Sequence, residues 1–139
     1  MFRSLPALAA SMILGTLPLP AAAQTASGTA PPAAPFQKVS DLVTLPDFLP
    51  GLGTLYVDPT NLPAGPFLGY DHDGKLSATI YMVPIEDLEG GTAFNDLAVG
   101  SGTVTSVDIY YNAGHPGVEK PHAHVVLYHD KDAKARLAE

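Results

Sequence analysis

The chain has 139 residues, 46% of them hydrophobic and 15% charged, with fourteen Asp/Glu against seven Lys/Arg and no cysteine. Without cysteine there is no thiolate ligand, thiolate nucleophile or disulfide, so transition-metal chemistry would have to be built on imidazole. The acidic balance argues against nucleic acid and anionic membranes as partners, because both call for a basic patch.

In chain order, Arg3 is followed by an apolar run interrupted by Pro6, Pro18 and Pro20, and Ala21-Ala22-Ala23 precede Gln24. The prolines fit no stable helix and the run is too short to span a bilayer, whereas the small-residue exit suits a signal peptidase. Residues 1–23 therefore read as a secretory signal peptide, and the protein is expected to be periplasmic or secreted, with no stable membrane anchor. Residues 24–37 are rich in Pro, Ala, Ser and Gly without period or charge, the composition of a linker. Residues 38–131 are expected to form one domain, followed by a charged tail, 132–139, that forms a short helix or frays. A domain this small, with no disulfide, needs a tight core, a metal or a partner subunit, so self-association is expected.

Residues 39–49 are apolar without clean periodicity, and Pro46 and Pro50 exclude a long helix, leaving one short turn that Ser40 or Asp41 could cap. Thr54, Leu55, Tyr56 and Val57 read as a short strand. Phe67-Leu68-Gly69-Tyr70, then the Asp73-Gly74 step, then Leu76 to Val83 form a hairpin pattern. In its second arm Leu76, Ala78, Ile80 and Met82 share a core-like face, with Ser77, Thr79, Tyr81 and Val83 on the other. Pro84 followed by Ile85, Glu86, Asp87, Leu88 and Glu89, with Gly90 as stop, reads as one helical turn. Residues 92–99 are ambiguous. Residues 103–111 (TVTSVDIYY) are a β-branched and aromatic strand. Thr105, Val107, Ile109 and Tyr111 lie on one side of it, and Val104, Ser106, Asp108 and Tyr110 on the other. A Gly/Pro loop leads to a last strand, His122 to Tyr128. The sum is an all-β fold, a mostly antiparallel small sandwich or barrel with short helical turns.

Four of the five histidines, His115, His122, His124 and His129, fall between Asn112 and Asp130. Strand residues two apart point the same way, so His122 and His124 can converge on one ion above the sheet. His115 becomes the third ligand if its Gly/Pro loop folds back. His129 has the wrong parity for a regular strand and joins only at a bulge, while Asp108 is a further candidate as ligand or as an acceptor that fixes an imidazole. His72 lies on a hairpin tip, outside the group. Neutral imidazoles suit Zn, Cu, Ni or Fe. Three functions compete: binding of a transition metal or small ligand, a structural homo-oligomer of the envelope with interfacial histidines, and a small metalloenzyme in which Tyr110 or Tyr128 assists as a donor. No G-x-S-x-G, P-loop or HExxH motif occurs.

The Gly117…His122-x-His124 spacing approaches that of cupins. However, Tyr128 or His129 holds the place of their glutamate, and too few residues follow for their second motif. Over residues 52–130 the chain more closely resembles an uncharacterised family of small exported bacterial proteins, classed as a domain of unknown function. The resemblance is carried by Tyr111, Asn112, Gly114, His115, Pro116, Gly117, Val118, Pro121, His122, His124 and Tyr128. It departs where the family's aspartate is His124 here and its second histidine is Val126. The resemblance implies a β-rich fold and a ring-like homo-oligomer, and no particular activity.

Overall fold

The computed structural model describes residues 28–139, so residues 1–23, expected to be a signal peptide, and the first residues of the expected linker lie outside the described residues. The described residues form one six-stranded antiparallel sheet in the order β1-β2-β3-β4-β6-β5. The strands are β1 (Gln37–Lys38), β2 (Thr54–Val57), β3 (Phe67–Tyr70), β4 (Leu76–Pro84), β5 (Ser106–Asn112) and β6 (His122–Tyr128). Three short α-helices accompany them, α1 (Val39–Leu42), α2 (Ile85–Glu89) and α3 (Ala133–Leu137), with a single 3-10 turn at Pro59–Asn61 among the described residues. The all-β, antiparallel expectation holds. The choice between sandwich and barrel resolves into neither, because β1 and β5 are the two edges of a single open sheet. Irregular chain does the covering that a second sheet would otherwise do. None of the helices among the described residues is long and apolar enough to cross a membrane.

The β3–β4 hairpin follows from its turn chemistry. Gly74 adopts φ +76°, a conformation that costs glycine little. The Asp71 carboxylate accepts from the backbone N–H groups of Asp73 (3.0 Å) and Lys75 (2.9 Å), which closes the turn. An extra residue in β4 shifts the register, so Gly69 faces Ala78 but Tyr70 faces Leu76. This bulge moves Leu76 off the expected face. It packs with Leu68 and Tyr70, while Ala78, Ile80 and Met82 join the main core.

β4 is buried on both faces, not one. Along its first face Ile80 and Met82 meet Val39, Leu55, Val57, Phe67 and Val126. Over the other face lies the ambiguous stretch 92–99, which is irregular, followed by Gly100. Tyr81 donates its hydroxyl to the Ala98 carbonyl, and the Gly100 N–H donates to Thr79 Oγ1 at 2.9 Å. Burial pushes the Tyr81 phenol up to about 12. The one-turn α1 has Lys38 at its N-cap and no side-chain cap, so neither Ser40 nor Asp41 serves as expected. α2 starts after Pro84 and stops at Gly90, as its sequence implies.

Both ends of the domain extend beyond their expected limits. The linker residues Gly28 to Ala30 lie against the hairpin: the Ala30 N–H donates to the Gly74 carbonyl (2.8 Å), and the Leu76 N–H donates to that of Gly28 (2.9 Å). Gln37 is already in β1, opposite Val57. A Pro/Ala-rich segment is compatible with the extended backbone of an edge, which asks for few donors. The tail is no free tail either. α3 buries Ala133 and Leu137 completely in the main core. Arg136 fixes it through Nε to Asp71 Oδ2 (2.7 Å), through both terminal nitrogens to Asp130 (2.9 and 2.7 Å), and through Nη2 to Ser77 Oγ (3.1 Å).

Burial alone would raise the Asp71 carboxyl. The Lys75 N–H and Arg136 outweigh it and hold the group below the usual carboxylate range, and Arg136 does the same to Asp130. Both groups therefore contribute stability that is present in full above about pH 5 and is lost as pH falls below about 4. Arg136→Ala leaves the buried Asp71 charge uncompensated and should cost about 3 kcal/mol, read as a drop in chemical-denaturation midpoint. A variant as stable as the parent at neutral pH would contradict this account of the C-terminal clamp.

Candidate metal centre

β6 lies between β4 and β5, and this sets the orientation of its histidines. Met82 and Tyr110 flank His124, and Pro84 and Asn112 flank His122. Strand parity then puts both imidazoles on the core face, where His122 is 0% and His124 3% exposed.

His115 reaches them by a turn encoded in His115-Pro116-Gly117-Val118. His115 and Val118 exchange both backbone hydrogen bonds (2.9 and 3.0 Å), Pro116 holds the first corner and Gly117 takes φ +89° at the second. Upstream, Gly114 has φ +128° and donates its N–H to Asn112 Oδ1 at 2.8 Å. A Cβ on Gly114 would stand 2.2 Å from the Glu119 carbonyl oxygen, so the loop's two arms can close only around glycine.

The three rings converge on their Nε2 atoms. His122 Nε2 is 3.2 Å from His115 Nε2 and 2.9 Å from His124 Nε2, and one ligand atom from each residue lies within 4.8 Å of the others. Tetrahedral zinc–imidazole bonds of about 2.0–2.1 Å put neighbouring nitrogens roughly 3.3 Å apart, so this spacing is close to that of a ligand set. Each Nδ1 points outward to a partner: His122 to the Lys120 carbonyl (2.7 Å), His115 to the Pro116 carbonyl (3.1 Å) and His124 to the Tyr110 hydroxyl (3.1 Å).

A carbonyl oxygen only accepts. His122 and His115 must therefore carry their proton on Nδ1, which leaves Nε2 bare in the neutral ring. Two bare nitrogens at 3.2 Å cannot hydrogen-bond to each other, and they repel unless a proton or a metal cation lies between them. Protonating His124 is a poor remedy. Burial, then the like charge that would arise beside His122 and His115, lowers its pKa to about 4. The arrangement could hold a metal ion, and its outward Nδ1 bonds are those that orient histidine ligands in metal sites.

The other candidates lie elsewhere. Asp108 is no ligand: its carboxylate accepts from Lys134 Nζ (2.5 Å) and the Tyr128 hydroxyl (3.3 Å). It sits opposite Val126, two residues along the strand from His124, and tethers α3. His129 keeps the opposite face, as its parity requires. Its Nε2 meets Thr79 Oγ1 at 2.8 Å and its Nδ1 the Thr103 carbonyl at 3.0 Å, so it ties the covering loop to the sheet. His72 stacks on Phe48 with ring centroids 3.7 Å apart. Tyr128 donates to Asp108, outside the cluster; Tyr110 contacts it directly through His124.

A cavity of about 350 Å³, not evident from the sequence, opens onto the cluster. Its walls include Val39, Val43, Leu55, Phe67 and Met82, and His115, His124 and Tyr110 also line it. The signal was present in residues 39–49, whose apolar side chains without periodicity serve as one wall.

A scan of family models finds no match, and a search of curated proteins finds none. Among solved structures, the crystal structure of a hypothetical protein from Thermus thermophilus, TTHB210, is similar. It is 39% identical, covers 68% of this chain and 88% of its own, and superimposes with a TM-score of 0.59.

The lowered pKa of His124 has a measurable consequence. The unfolded chain takes up its proton near pH 6.5 and the folded metal-free chain only near 4, so stability falls as pH drops through that interval. Histidine NMR titration should find the His124 ring neutral at about pH 5.5, between those two values. A midpoint at its ordinary value would mean that the ring is solvated and the cluster open.

Proposed function

The chain belongs to the same family as the Thermus thermophilus protein, and we propose that it binds one divalent transition-metal ion, with His115, His122 and His124 as ligands. One observation carries the reading: the Nδ1 atoms of His122 and His115 are committed to carbonyl acceptors, so the bare Nε2 atoms face one another at 3.2 Å and call for a cation. Neutral imidazole donors with no thiolate suit Zn, Cu, Ni or Fe over Mg or Ca. Lys120 and Pro116 contribute through their backbone carbonyls and Tyr110 through its hydroxyl, each holding one ring in place.

Isothermal calorimetry with Zn²⁺ and elemental analysis of the purified protein test this. The expected result is one ion per chain. The His122→Ala/His124→Ala double variant should lose more than the ten- to roughly hundredfold in affinity that removing an outer hydrogen-bond partner costs. Equal, negligible uptake by parent and variant would sink the reading.

A second reading, self-association, has its own observation. On the sheet face away from the histidines, edge strand β5 presents Val107, Ile109 and Tyr111 at 47%, 70% and 64% exposure. An apolar edge strand of this kind invites a second copy. Size-exclusion chromatography with light scattering should show an oligomer that Ile109→Lys converts to monomer without loss of metal uptake. A parent protein that is monomeric at high micromolar concentration would rule the reading out.

A further inference from the structure

A half-open pocket of about 350 Å³ lies between α1, β2 and the histidine-bearing strand, with Leu42 and Leu62 at its exposed rim. At about 30 Å³ per water-sized group, that is room for on the order of ten heavy atoms. The walls are aliphatic and aromatic, and the polar side chains among the lining residues, Tyr110, Asn112, His115 and His124, come from β5, β6 and the loop that joins them. A compartment that is apolar along its body and polar at one end selects ligands built the same way.

Resting on the metal reading above, we propose that the cavity takes a carboxylic acid with a single unbranched apolar tail, its carboxylate on the histidine-bound ion and its tail among Val39, Val43, Leu55 and Phe67. Three neutral imidazoles leave the charge of a divalent ion unbalanced. In surroundings this apolar, an anionic oxygen donor at the remaining position offsets it better than water or an alcohol does. The length of the cavity rather than the head then sets specificity, because every acid brings the same head and only a longer tail reaches the far wall.

Calorimetry on zinc-loaded protein with octanoate and acetate is the test. The added methylenes of octanoate should bring it to at least about hundredfold tighter binding than acetate. Two cavity-filling variants guard against a folding artefact: Val43→Phe, at a partly buried wall position, and Leu42→Trp, at a position 37% exposed. Each should keep one zinc per chain and its melting temperature, leave acetate unchanged and lose octanoate by roughly tenfold or more. Zinc-loaded protein that binds both acids alike overturns the proposal while the metal site stands. So does octanoate binding that is unchanged once zinc is stripped, or that survives in both variants. Protein that takes up no zinc overturns the metal reading and this proposal together.

Discussion

The hydrogen bond from His122 Nδ1 to the Lys120 carbonyl constrains the chemistry of the whole site. At 2.7 Å to an acceptor-only oxygen, it decides which nitrogen carries the proton and so which one is left bare. The bond is local, spanning two residues, and it exists because the chain enters β6 through Pro121 with the Lys120 carbonyl turned back toward the ring. The same logic repeats at His115 with the Pro116 carbonyl. Two adjacent backbone turns thus leave two nitrogens bare, in a group that could hold a metal ion. Leaving a buried acceptor such as His122 Nε2 without a donor or an ion would cost about 1–3 kcal/mol.

The sheet separates two tasks. Even-numbered residues of β6 face the core, where His122 and His124 are buried and His124 lines the cavity. Odd-numbered residues of β5 face the other way and leave Ile109 and Tyr111 in the open. The pairing of β5 with β6 enforces the division, since a slip by one residue would exchange both faces at once. On the other side of β6, the deeply buried β4 anchors the register, and Arg136 brings the chain's end back onto the hairpin that begins β4. The fold therefore holds its histidine strand rigidly from both sides. The His115 loop, built on Gly114 and Gly117, is set by turn chemistry together with the packing of Val118 against the main core.

Much of this was legible in the sequence. Alternation in 122–128 gave the facing of His122 and His124, and Pro116-Gly117 signalled the return of His115. Asp73-Gly74 placed the hairpin. These are local rules with short reach, and they held. What was not legible depends on contacts distant in sequence. The charged tail became a core helix because Leu137 and Arg136 find partners in the hairpin, which composition does not reveal. Leu76 changed sides because a single extra residue in β4 shifts parity. Asp108 shares a strand face with Tyr110, but Lys134 claims its carboxylate, and that pairing exists only once α3 is docked. The cavity also escaped notice, because residues 39–49 have no period that tells a wall from a filled core.

The central claim is that the Nε2 atoms of His115, His122 and His124 converge on one cation, those of His115 and His122 left bare by their Nδ1 bonds, and histidine tautomers can be read directly. Long-range proton–nitrogen NMR on ¹⁵N-histidine-labelled protein, before and after one equivalent of Zn²⁺, is the most direct measurement. The account predicts Nδ1–H tautomers at His115 and His122 in the metal-free protein, then a joint shift of the Nε2 resonances of His115, His122 and His124 on adding zinc, with His72 and His129 unmoved. An Nε2–H tautomer at His122, or a zinc response confined to His115, would contradict it.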